Sequence, residues 1–297
     1  MQKALDDLVG HGFLASSEKT GYKIESAAGQ EWQRDRDFYQ PTAENVSELV
    51  RRRLLEILGN DKPSLDGMEV PWLALYSDGL SARDIRLKDE RKHTVVTVDF
   101  QYTNDKAEEW VSRSNGEGYK NRFVWLIGSM GDVKSYATKA LQSSRMIARY
   151  DSNEASLAED TRRLLVEERN REASLTRELR DAIADAFMKG HFFFRGRQKL
   201  PADLGQTFNK ALSAYGAEVA RALYPQPMTF SVKESDILFL IESKDLSAPP
   251  PVLGEEKLGI LKLDSGRYEA ACSGRLPTDV LAVVKEHGAV EGATLLQ

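Results

Sequence analysis

The stretch that most resembles a chemical site is a short loop, Gly128 to Ser135, which reads GSMGDVKS. It lies between a predicted strand and a predicted helix, as a phosphate-binding loop does. Such a loop needs glycine just before its lysine, so that the backbone can curl around the phosphates. Val133 precedes Lys134 here, and a β-branched residue resists the positive φ that these loops often require. The pattern favours an ordinary strand-to-helix turn capped by Asp132, with a degenerate nucleotide site at the glycine, lysine and serine as the alternative.

A second candidate is the aromatic and basic segment HFFFRGR, in which Phe193 is followed by Arg195 and Arg197. Aromatic rings can stack on bases while guanidinium groups hold phosphates, so the segment fits a nucleic-acid surface. Three consecutive aromatic residues more often form a buried strand whose rim is basic. Both interpretations are open at this point.

The densest basic run is Arg51, Arg52 and Arg53, on a predicted helix. A cluster of this kind can contact phosphates. Glu48 and Glu56 lie beside it at helical spacing, so a solvated helix face is the simpler interpretation.

No motif brings a nucleophile and a base together. Ser129 lies in G-S-M-G, which is not the G-x-S-x-G elbow of hydrolases. Cys272, the single cysteine, has no histidine near it in the sequence and is expected to be a buried structural thiol. The four histidines have no metal-ligand spacing. We therefore predict no catalytic residue, no metal site and no cofactor.

Composition sets broader limits on the class of protein. The 297 residues have room for two or three domains, and 41% apolar with 29% charged residues is typical of a protein rich in charged helices. The formal net charge of -5 gives no overall electrostatic signature of nucleic-acid binding. Because the chain has neither a membrane-length apolar run nor a signal-peptide pattern, and only one cysteine, we expect a cytoplasmic protein without a membrane partner.

The elements that must position these residues are predicted as mixed α and β. Runs rich in β-branched and aromatic residues, VPWLALYSD, HTVVTVDFQYT and NRFVWLIG, alternate with helical patterns and predict a small α/β sheet domain. After it, a stretch free of Gly and Pro predicts a helix of roughly ten turns that acts as a strut between two globular parts.

The two ends of the chain predict smaller structures. A helix end, a glycine turn and two short strands at the N-terminus are typical of the second half of a winged helix, whose hairpin can contact DNA. The predicted division is 1–40 winged-helix remnant, 41–150 α/β domain with a leading helix, 151–190 long connecting helix, and 191–297 C-terminal α+β domain.

Four stretches in this order resemble one family: the winged-helix remnant leading to GQEWQRDRDFY, then SSRMIARY, then FFFRGR, and finally ALYPQ followed by VKESDILFLI. They resemble the middle of the large P-loop ATPases of bacterial phage-exclusion (BREX) systems, the BrxC/PglY family. The resemblance implies an internal piece of a longer cytoplasmic ATPase that works with methyltransferase and phosphatase-like partners against phage DNA. The family's ATP and Mg site is upstream of the matching stretches, and no position here corresponds to it.

Three functions are therefore compared. The preferred one is a non-catalytic structural and interaction segment that links an ATPase core to partner proteins or double-stranded DNA, with an oligomer formed through the parent protein as a further expectation. The second is a nucleic-acid-binding module that uses the wing, the arginine run and the HFFFRGR segment. The third is a degenerate nucleotide-binding domain at the GSMGDVKS loop.

Overall fold

A computed structural model describes the residues 14–17, 21–24, 27–60, 62–65, 67–80, 84–90, 95–225, 230–243 and 245–287. They form a mixed α and β structure, as the sequence predicts. The chain divides into two compact units, unit 1 (Met1–Pro225) and unit 2 (Gln226–Gln297).

Unit 1 is built on a six-stranded mixed sheet. Its strand order is β10-β9-β8-β7-β5-β6. The three central strands, β5, β7 and β8, are parallel, and the flanking strands β6 and β9 are antiparallel to their neighbours. The bounds are β5 Trp72–Ser77, β6 Ile85–Asp89, β7 Val96–Gln101, β8 Arg122–Leu126, β9 His191–Phe194 and β10 Arg197–Lys199. Smaller antiparallel pairs are β1 Leu14–Ser17 with β2 Gly21–Ile24, and β3 Ser64–Leu65 with β4 Met68–Glu69.

Six helices of unit 1 are described. They are α1 Ala27–Phe38, α2 Ala43–Leu58, α3 Ala107–Arg113, α4 Gly131–Asp151, α5 Glu159–Met188 and α6 Phe208–Leu223. Helix α2 begins after Thr42, which forms a capping box with Asn45, and Gly59 ends it at φ 54°. The cap predicted at Asp132 is wrong. Helix α3 follows Lys106 without a side-chain cap, and α4 begins at Gly131, so that Asp132 lies in its first turn.

One face of the sheet, here called the apolar face, holds the main core. Its side chains are almost completely buried under helices α2, α4, α5 and α6. Gly216 lets α6 approach closely, since a Cβ there would lie 2.4 Å from the Trp72 ring. The residues of this face are Trp72, Ala74, Tyr76, Val96, Val98, Phe100, Phe123, Trp125 and Phe192.

The opposite face, here called the polar face, has a different composition. Asp99 pairs with Val124, so the two side chains lie on the same face of the sheet. On this face Val124 forms a smaller cluster with Trp110 of α3 and Phe193. Beyond that cluster the face carries Ser77, Thr97, Asp99, Gln101 and Arg122. The two faces therefore differ in both the helices that cover them and the polarity of their side chains.

The long helix is not a strut between two domains. Helix α5 spans 30 residues and packs along α4, with contacts to α1, α2 and α6 in the same unit. The apolar stripe of α5 is interrupted at Glu168 for a local reason. Glu168 is only 3% exposed and accepts hydrogen bonds from Trp32 Nε1 (2.8 Å) and Arg36 (3.2 Å).

The predicted boundary after residue 190 differs from the structure. Strands β9 and β10 continue the sheet beyond β8, and α6 belongs to the same core. The residues 191–225 thus belong to unit 1, and the two units meet in sequence at 225/226.

Unit 2 is smaller and has a limited core. It contains helix α7 Glu234–Glu242, the hairpin of β11 Leu261–Asp264 with β12 Arg267–Ala270, and helix α8 Arg275–His287. The hairpin turn at Ser265 and Gly266 has positive φ at both residues, as a two-residue turn of this kind requires. Its buried cluster consists of Val252, Leu253, Leu258 and Leu261.

The hairpin predicted as a wing is present as β1 and β2. The helix end and glycine turn predicted before it lie outside the described residues. No helix in the described ranges is both long enough and apolar enough to cross a membrane.

Candidate functional site

The topology of unit 1 creates a cleft at the carboxyl ends of the parallel strands of its sheet. Strands β7 and β8 are adjacent and parallel. The helix after β7, α3, packs on the polar face, whereas the helix after β8, α4, packs on the apolar face. Because the two connections leave in opposite directions, a crevice opens at the carboxyl ends of these strands, where open α/β sheets bind their ligands.

We call this feature the carboxyl-edge cleft. It has a volume of about 510 Å³, which is in the range of small-molecule sites. It is lined by the residues that follow β5 and β7, the start of α2, parts of α3 and the first turn of α4. These include Ser47, Ser77, Asp78, Gln101, Tyr102, Thr103, Asn104, Asp105, Trp110, Arg113, Tyr119, Met130 and Lys134.

The carboxylates of the cleft have internal partners. Asp78, after β5, accepts hydrogen bonds from the Ser47 hydroxyl and from the Leu80 amide (3.0 Å). Asp105, after β7, accepts from Arg113 at 2.7 Å. These contacts fix the carboxylates at the mouth of the cleft.

A charge cluster adjoins the cleft on the polar face, with Asp84 in the cleft lining and Asp99 fully buried. Arg122 is 2.7 Å from Asp84 and 3.6 Å from Asp99. The Ser77 hydroxyl lies 3.1 Å from Asp84 and 3.2 Å from Asp99, so its proton can serve either carboxylate. The Arg122 guanidinium also stacks on the Tyr119 ring, 4.3 Å from its centroid.

Asp99 is the most perturbed group in this cluster. Its burial raises the pKa of the carboxyl to about 6, although the nearby Arg122 charge acts in the opposite direction. Its Oδ2 atom has no hydrogen-bond partner among the described residues. With no exposed surface, Asp99 itself is closed to a ligand, but it places a negative charge behind Ser77.

Three buried polar atoms of the cleft lack hydrogen bonds. They are Tyr102 Oη, Thr103 Oγ1 and Trp110 Nε1, none of which has a partner in the described part of the chain. Tyr102 and Trp110 are only 3% and 2% exposed. Buried polar groups are normally satisfied, so this concentration in one cleft is unusual.

The predicted nucleotide loop contributes only partly to this cleft. Lys134 lines it, whereas Gly128 and Ser135 do not. Gly128 has a packing role, because a Cβ there would lie 2.6 Å from the Lys189 carbonyl oxygen, and its amide bonds to the Ala186 carbonyl. The glycine of the loop is thus required for the approach of the α5 C-terminus.

The basic run on α2 forms ion pairs within its own helix. Arg51 bonds to Glu48 through two nitrogens at 2.6 and 2.8 Å, and Arg52 lies 3.6 Å from the same carboxylate. Arg53 bonds to Glu56 at 2.7 Å. This arrangement agrees with a solvated helix face.

The HFFFRGR segment forms β9, a turn and the start of β10. Phe193 has no exposed surface, so its ring is not available for stacking on a base in this structure. Arg195, at φ 48°, donates to the Lys120 carbonyl at 3.1 Å, and Arg197 is exposed on the edge strand β10. None of the described clefts is lined by Arg51–Arg53 of α2 together with the arginines of this turn.

The prediction for Cys272 is wrong, since its thiol is exposed. The described residues contain no group of three or more His, Cys, Asp or Glu side chains placed to hold a metal ion.

Sequence reasoning missed most of the cleft. Asp78, Tyr102 and Trp110 are separated along the chain and belong to no motif. Their position in the sequence could have indicated them, because Asp78 and the segment Tyr102–Asp105 directly follow predicted strands, at whose carboxyl ends α/β sheets bind ligands.

Comparisons of this chain with protein-family models, with curated proteins and with solved structures find no match.

Proposed function

We propose that this chain is a non-catalytic interaction module, and that unit 1 binds a small polar ligand in the carboxyl-edge cleft. The observation that carries the proposal is the convergence of polar side chains from β5, β7, α3 and α4 where the connections after β7 and β8 leave on opposite faces.

A binding role is supported by how the charged groups are used. Asp78 and Asp105 are held by internal partners, and Asp99 is fully buried. Side chains that are fixed in this way can orient a ligand, whereas an acid or base in catalysis must reach the reacting atom.

The proposed setting follows the resemblance described above. We propose that the module belongs to a phage-exclusion ATPase and works in the cytoplasm beside the partner proteins of that system. The exposed single thiol of Cys272 supports a reducing compartment. The placement of the arginines gives no support to contact with DNA, which stays a prediction.

A ligand panel tests the binding role. We expect at least one of five classes (amino acids, polyamines, sugars, sugar phosphates and nucleotides) to raise the Tm of the protein, since a ligand that binds only the folded state stabilises it.

The matched variants are Asn104→Trp, which places a large ring at the cleft, and Ser112→Trp, at an exposed position of α3 outside it. The increase in Tm should persist in Ser112→Trp and disappear in Asn104→Trp. A panel without any stabilising class, or one that stabilises both variants equally, would contradict a ligand site in the cleft.

A further inference from the structure

The start of helix α4 supplies positive charge to the carboxyl-edge cleft. Helix α4 has 21 residues. Met130 at its N-cap position makes no side-chain capping bond, and the Ser129 hydroxyl accepts a hydrogen bond from the Gly131 amide at 3.4 Å. Both Met130 and Lys134 line the cleft. The other first-turn amides carry the positive end of the helix dipole and can bind an anion.

Unpartnered groups in the same cleft are a second and independent observation. Trp110 Nε1 can only donate a hydrogen bond, and it lacks an acceptor among the described residues. Burial raises the pKa of Tyr102 to about 12, so its unpartnered hydroxyl keeps its proton at neutral pH and can donate as well. These donors point to a ligand rich in acceptor oxygens.

The charged groups of the cleft differ in how they are partnered. The carboxylates that line it, Asp78, Asp84 and Asp105, accept hydrogen bonds from Ser47, Arg122 and Arg113. Lys134, in contrast, is an exposed cation that lines the cleft at the first turn of α4. Asp132 is the acid of the first turn. Asp132 does not line the cleft.

We propose that the ligand of the cleft is a small phosphomonoester whose phosphate binds the first turn of α4 and Lys134. This inference rests on the proposed function and specifies its ligand class. The hydroxyl groups of the ligand face Asp78 and Asn104 at the ends of β5 and β7, which offer acceptor oxygens. A mononucleotide and a sugar phosphate share this chemistry, and either fits a volume of about 510 Å³.

Isothermal titration calorimetry with four probes tests the ligand class. AMP and ribose 5-phosphate are each compared with their unphosphorylated forms, adenosine and ribose, at an ionic strength of about 0.15 M. For each phosphomonoester that binds, we expect a Kd at least about tenfold lower than that of its unphosphorylated form. Binding of AMP alone would assign a nucleotide, and binding of both esters would assign a sugar phosphate.

Two lysine variants locate the phosphate. Lys134→Gln should weaken the phosphomonoester about tenfold and leave the unphosphorylated probe unchanged. Lys139→Gln, at an exposed lysine on the same helix outside the cleft, should change neither.

The inference is overturned if the phosphate group adds no affinity, if both lysine variants behave alike, or if neither ester binds at about 10 mM while another class of the panel does. In that last case the cleft still binds a ligand and only the phosphate assignment fails. A panel without any binding class would instead remove the proposed function.

Discussion

The two faces of the unit 1 sheet use the same strands for different purposes. On β7, Val98 and Phe100 point into the main core, while Thr97, Asp99 and Gln101 lie on the polar face. Four helices cover the apolar face, and the short helix α3 covers part of the other. A fully apolar sheet would gain more from burial, so the polar residues have a cost in stability. This difference indicates that one face holds the fold together and the other positions the carboxyl-edge cleft.

The largest expected effect is on the apolar face. The Phe100 ring is fully buried and lies against Trp125, Phe187 and Phe208, with centroids 5.4 to 5.9 Å apart. Phe100→Ala should lower the free energy of unfolding by about 4 kcal/mol, because it removes a large core side chain and leaves a cavity.

Thr97→Ala, on the other face of the same strand, is the matched control and should cost less than about 1 kcal/mol. Urea denaturation followed by circular dichroism measures both values. Similar losses for the two variants would break the distinction between the faces.

A smaller effect is expected from pH on the polar face. The unfolded chain has an Asp pKa near its ordinary value, and burial raises the pKa of Asp99 to about 6 in the folded protein. Between these pKa values the folded state holds more protons than the unfolded state, so stability falls as pH rises through this window. The contribution of Asp99 is complete below about pH 4 and lost above about pH 6, a change of about 3 kcal/mol.

The pH prediction is measured as the difference in unfolding free energy between the wild type and Asp99→Asn at pH 4 and pH 7. The wild type should lose about 3 kcal/mol more than the variant over this range. Equal losses in the wild type and the variant would show that the pKa of Asp99 is not raised in the folded protein. Arg122 keeps its charge over this range, and its contact with Asp84 is retained in the variant.

The elements of the apolar face could largely be predicted from the sequence. Continuous runs such as VWL in β8 carry the strand signal, and Thr42 with Gly59 marks the ends of α2. Strand β6 lacked such a signal, since IRLKD mixes apolar and charged residues on an edge strand.

The cleft could not be predicted in the same way, because it depends on tertiary geometry. Its position follows from α3 and α4 leaving on opposite faces, and no local pattern records that choice. For the same reason, the predicted boundary after residue 190 differs from the structure: the pairing of Trp125 with Phe192 joins two segments that are far apart in the sequence.

Nuclear magnetic resonance of the four tryptophan indole N–H groups tests the central claim most directly. Trp32 and Trp125 donate to acceptors in the helical layers at 2.8 Å, whereas the Trp110 N–H at the cleft has no acceptor among the described residues. On addition of a stabilising ligand from the panel, the Trp110 signal should shift while those of Trp32 and Trp125 stay in place. A shift at the core tryptophans with an unchanged Trp110 would contradict the assignment of the carboxyl-edge cleft as the ligand site.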